Sequence, residues 1–159
     1  METDPEPTLA DDEAQLAAFA FDLADHVEVA IPGWVDRSLR EKGGSGFDPA
    51  AAVDVAAETT AAVMPVLRTI LAADIDAGAG SPLAALRAGV GPMTEYLASW
   101  GAPRPPRDEF QERQFPNDPY ELGPAAFADI DPGLHEPGLL WGAARAHVHL
   151  RRRREAERG

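Results

Sequence analysis

The chain has 159 residues, enough to bury a proper core, and its 45% apolar content is ordinary for a globular domain. It contains no Cys, which excludes disulfides, thiolate metal sites and cysteine nucleophiles. Its formal net charge of −13 works against general affinity for phosphate backbones, so nucleic acid is not an expected partner.

The acidic start METDPEPTLADDE lacks the basic lead of a secretory signal. No apolar run reads as approaching the roughly 18 residues that a membrane span needs, so a cytoplasmic location without a membrane partner is expected. The charge is lopsided. Residues 1–80 carry 16 acidic and 4 basic groups, whereas residues 81–159 carry 11 and 10. Ten acidic residues precede the first basic one, Arg37. Such asymmetry complements a second subunit or a basic partner, and it also serves solubility alone. The Ala-, Arg-, Asp-, Gly- and Pro-rich usage, with a single Lys, matches a high-GC bacterial source.

In chain order, residues 1–8 read as a flexible lead-in and 9–155 as a single helical domain. Thr8 is the candidate cap of a first helix, with Asp11, Asp12 and Glu13 where the helix dipole favours negative charge. Leu16, Phe19, Ala20, Leu23, Val27, Ala30 and Ile31 form its apolar stripe, and Pro32-Gly33 is expected to break it. Trp34, Val35 and Leu39 continue as a kinked or separate piece. Phe21 and Val29 lie off the stripe and mark a second, narrower apolar face for a partner or a returning segment.

After the Gly43–Gly46 loop, Asp48-Pro49 starts a second long helix, predicted to reach about Ala77 before Gly78-Ala79-Gly80. Val53, Ala57, Thr60, Met64, Leu67 and Leu71 make its predicted stripe, flanked by Ala56 and Val63, with Pro65 on the outer side as a bend. Ser81-Pro82 starts a third helix that Gly91-Pro92 is expected to break. Residues 102–136 read as a long Pro-rich strap containing a turn of helix at Asp108–Gln114 and short turns at Pro124–Asp129 and Pro132–Glu136. Phe110, Phe115, Tyr120, Leu122, Phe127, Ile130 and Leu134 are its candidate anchors. A C-terminal helix then begins near Pro137 and runs into the Arg151–Arg154 cluster. The predicted fold is all-α, a compact bundle of three to five main helices.

The last helix is the most informative element. Leu139, Ala143, Ala146 and Leu150 share one face, with Leu140 and His147 beside it, while Trp141, Arg145 and His149 form a separate ridge. The helix is expected to be packed on more than one side, with Trp141 filling a gap in the core. The ridge Trp141, Arg145 and His149 is the candidate groove for an anionic or aromatic ligand. His147 and His149 point about 160° apart on a helix, against their joint use as metal ligands. Asp22 and His26 have i, i+4 spacing suited to a metal or an oriented base, although a local hydrogen-bonded pair is the commoner outcome.

No Ser lies in a nucleophile elbow, and Gly43–Gly46 lacks the following Lys of a phosphate loop. No catalytic residues and no cofactor are therefore expected. The expected function is that of a helical adaptor or regulatory protein acting by protein–protein contact and self-associating. Its interaction residues would be Phe21, Val29, Tyr120, Phe127, Arg151, Arg152, Arg153 and Arg154. The alternative is a ligand-binding or metal-dependent enzyme domain with its site between the first and last helices.

Overall fold

The computed structural model describes residues 6–74 and 80–158, and among these the fold is all-α with no strand. The first helix, α1, spans Leu9–Gly43. Thr8 caps it: its hydroxyl accepts from the Asp11 N–H at 3.1 Å, and the Asp11 carboxylate accepts the Thr8 N–H at 2.9 Å.

Of the two outcomes expected after Pro32, continuation or a separate piece, α1 takes the first and continues through the proline as one helix. An internal proline costs a hydrogen bond and a steric clash, on the order of 3 kcal/mol. Here Pro32 faces outward, while Val27, Ile31, Trp34, Val35 and Leu39 stay in helical phase and bury on both sides of it. Burial at about 1.5–3 kcal/mol per large apolar side chain outweighs one lost bond.

A 3₁₀ turn at Gly44–Gly46 leads into α2, Pro49–Ala72, capped by Asp48, whose carboxylate accepts from the Ala50 N–H at 3.0 Å. α2 returns along α1, and Arg68 reaches back to Asp25 at 3.1 Å and Glu28 at 3.6 Å. It ends about a turn earlier than expected, with Ala73 already extended. The predicted limit at Ala77 and the Gly78-Ala79 stop lie outside the described residues.

The phase of α2 also differs from expectation in its first half. Ala52, Val55, Ala56 and Thr59 face the core, and Val53 is 70% exposed with Ala57 beside it. In a segment this rich in Ala, two neighbouring stripes have nearly equal apolar content, and tertiary packing, chiefly against α1, decides between them. Pro65 lies outside as predicted. α2 also holds an 18-residue window of mean hydropathy 1.4, long and apolar enough to cross a membrane by length and composition, which corrects the reading of no such run. Its Val63, Leu67 and Leu71 are nonetheless core residues of the bundle.

The third helix is two: α3 (Pro82–Ala88) and α4 (Gly91–Ser99), with the predicted break between them. The turn at Gly89 lies against α2 so closely that a Cβ there would sit 2.0 Å from Val63 Cγ2. The strap from 102 onward contains α5, Glu109–Gln114, capped by Asp108.

Tyr120, Leu122, Ile130 and Leu134 anchor the strap in the core. Phe110 and Phe115, expected to do so, are 66% and 37% exposed. Arginines tie down the strap's backbone carbonyls: Arg37 donates to Ile130, Arg87 to Pro124 at 2.9 Å, and Arg107 to Asp118, Gln111 and Phe115. The last helix, α6, spans His135–Arg158 and runs back along α1 until its arginines meet the first turn of α1.

Candidate functional site

α6 shows the largest departure from the expected packing. Its inward face is Pro137, Gly138, Trp141, Ala144, Val148, Arg151 and Arg152, and Val148 is its only fully buried residue. The stripe of Leu139, Ala143, Ala146 and Leu150 points away from α1. Leu139, Leu140 and Leu150 are 59%, 42% and 52% exposed. α6 is therefore covered on one side only and is not a central core helix.

Polar contacts at its C-terminal end fix this orientation. The start of α1 is acidic and the end of α6 basic, each matching its helix dipole. Asp12, 8% exposed, accepts from Arg151 Nη1 at 2.7 Å, and His147 Nε2 lies 3.1 Å from the same oxygen. Arg151 also donates to the Pro7 carbonyl. Arg152 donates to Glu13 Oε1 at 3.0 and 3.1 Å and to Asp74 Oδ1 at 2.8 Å, joining α6, α1 and the end of α2. Those carboxylates, Asp74 first, hold the Arg152 guanidinium above its already high ordinary pKa. The Thr8 backbone N–H, then its hydroxyl, hold the Asp11 carboxyl below the usual carboxylate value, with a smaller contribution from Arg151. Half of the Arg151–Arg154 cluster is thus used within the chain, while Arg153 and Arg154 remain exposed.

The ridge of Trp141, Arg145 and His149 is divided: Trp141 and Arg145 border a small crevice, and His149 is not among its lining residues. Trp141 is partly buried, its Nε1 has no partner among the described residues, and the Arg145 guanidinium lies 5.6 Å from its ring centroid. The crevice they share with Leu16, Ile70, Leu71 and Asp74 has a volume of about 10 Å³, at the lower limit for a single water. His149 is exposed and stands apart from it.

Asp22 and His26 do pair, but only locally. His26 Nδ1 is 2.8 Å from the Asp22 carbonyl and 3.4 Å from its carboxylate, and both side chains are more than half exposed. Among the described residues no group of three or more His, Asp or Glu side chains could hold a metal. Among the described residues, no hydrogen bond or shared crevice joins this pair to Trp141, Arg145 or His149.

Of the remaining expected contact residues, Phe21 and Val29 are 67% and 82% exposed. Tyr120 is instead 2% exposed with its hydroxyl donating to the Ala102 carbonyl at 3.0 Å, which removes it from the surface. Phe127 is partly buried, its ring lying where Gly138 leaves room for it.

A wider groove lies elsewhere, between the first half of α1 and the end of α2. Leu16, Ala17, Ala20, Phe21, Leu71 and Ala72 line its apolar floor, Arg68 and Arg152 stand at its rim, and its volume is about 490 Å³. Sequence reasoning missed it, although alanines at 17, 20 and 24 beside the off-stripe Phe21 were the available signal: small side chains facing one another leave space between helices. The chain matches no family model, no curated protein and no solved structure.

Proposed function

We propose that the protein acts by protein–protein contact, as a small helical adaptor or regulatory module that also associates with itself. One observation carries this reading: the outward face of α6, where Leu139 and Leu150 lie exposed in helical register with Ala143 and Ala146. Scattered exposed leucines need no explanation, but a contiguous apolar face at 3.6 spacing is the pattern of a helix that packs on both sides. Covering a half-exposed leucine contributes roughly 1 kcal/mol, so this face gains stability only when something lies against it.

The test is light scattering across a dilution series in about 0.15 M salt, where charge repulsion is screened beyond roughly 8 Å. The protein is expected to gain mass with concentration, and Leu139→Asp with Leu150→Asp is expected to keep it monomeric with unchanged helical circular dichroism. A wild-type protein that stays monomeric at every concentration contradicts self-association.

A second reading, a ligand-binding domain, is favoured by the groove between α1 and α2. Its volume of about 490 Å³ suits a small molecule, and its floor suits an apolar one, since Arg68 and Arg152 are already engaged by carboxylates. Titration with an apolar fluorescent probe tests this reading, and absence of binding removes it.

A further inference from the structure

We infer that the partner of the α6 face is α6 of a second copy, packed antiparallel in one defined register. This rests on the reading of that face as an interaction surface and goes further by fixing occupant, direction and alignment. Along the outward face run Glu136, Leu139, Ala143, Ala146, Leu150 and Arg153. The intervals between them alternate three and four residues, which is the seam of a two-stranded coiled coil.

The seam is also palindromic in chemistry. About a two-fold axis midway between Ala143 and Ala146, Leu139 meets Leu150 of the partner subunit and Ala143 meets Ala146 of the partner subunit. At each end Glu136 meets Arg153 of the partner subunit. One helix surface thus complements itself, as a two-fold symmetric interface requires.

Charge decides the direction. A parallel pair would also stack leucine on leucine, but it would set Glu136 against Glu136 of the partner subunit and double the arginine cluster at one end. The antiparallel pair converts both clashes into ion pairs and opposes the helix dipoles. Glu136 and Arg153 are exposed and have no ionic partner among the described residues of their own chain. Arg151 and Arg152 are turned the other way, onto Asp12 and Glu13. The paired alanines let the two helix axes approach to the near end of the usual range of about 8–10 Å.

The absence of native Cys makes the register directly readable. Leu139→Cys and Leu150→Cys are made separately, oxidised alone and as a 1:1 mixture, and resolved on non-reducing gels. In the antiparallel register a residue at 139 lies roughly 16 Å along the axis from its own copy but opposite residue 150. The mixture is therefore expected to give about tenfold or more cross-linked dimer over either variant alone. Glu136→Cys mixed with Arg153→Cys repeats the test with both leucines intact.

Efficient cross-linking of each variant alone shows a parallel pair and overturns the proposal. No cross-linking from either mixture, with a wild-type dimer by light scattering, places association on another surface; the register falls while self-contact stands. A wild-type protein that is monomeric up to about 1 mM overturns both.

Discussion

Asp11 shows how one carboxylate couples the start of the fold to pH. Its pKa is lowered because the folded state supplies the Thr8 backbone N–H and hydroxyl to the charged form. A group depressed on folding contributes stability that is fully present above its unfolded value, ordinarily 3.8, and is lost as pH falls through the lower folded value. Asp11→Asn removes the titration while keeping an acceptor oxygen. Urea midpoints for wild type are therefore expected to exceed those of Asp11→Asn at neutral pH, and the gap is expected to close below about pH 3.8. A gap that stays constant in acid shows that the carboxylate charge contributes nothing. Asp11 was legible from the sequence as a residue at a helix start, because a cap is a local arrangement. The role of its neighbour Asp12 was not, because its partners His147 and Arg151 lie at the far end of the chain.

At the scale of elements, the helices were legible and their faces only partly so. The caps at Thr8 and Asp48, the break between α3 and α4, and the short turns of the strap follow from residue chemistry within a few positions. The continuation of α1 through Pro32 does not, because the local cost is offset by burial of Trp34, Val35 and Leu39 in a core that periodicity does not describe. α6 is the clearest case. It carries two apolar faces, and sequence phase favoured the one with Leu139 and Leu150. The face that turns inward is the one that delivers Arg151 and Arg152 to Asp12, Glu13 and Asp74, a choice made by tertiary charge pairing.

Close approach between elements gives a second check. An alanine at 89 would place its Cβ 2.0 Å from Val63 Cγ2, on a valine that is fully buried. Gly89→Ala must push the α3–α4 turn off α2 and is expected to cost about 1–3 kcal/mol in urea unfolding. An unchanged midpoint would mean that the two elements are less tightly packed than described.

At the scale of the whole molecule, the charge asymmetry visible in the sequence acts first within one chain, where the acidic start of α1 binds the basic end of α6. That internal pairing leaves Arg153 and the outward leucines unused, and these form the proposed self-association seam. The groove between α1 and α2 takes Arg152 from the inward side of α6, whereas the seam is the outward face of that helix, so the two surfaces share no residue.

The most direct test of the α6 seam is sedimentation equilibrium on wild type, Glu136→Arg, Arg153→Glu and a 1:1 mixture of the two variants. Either variant alone sets like charges at both ends of the seam and is expected to weaken the dimer by about tenfold. The mixture restores two opposite-charge pairs and is expected to return, like wild type, to twice the 16.9 kDa chain mass. Four samples that behave alike, or a mixture no heavier than its components, would contradict it.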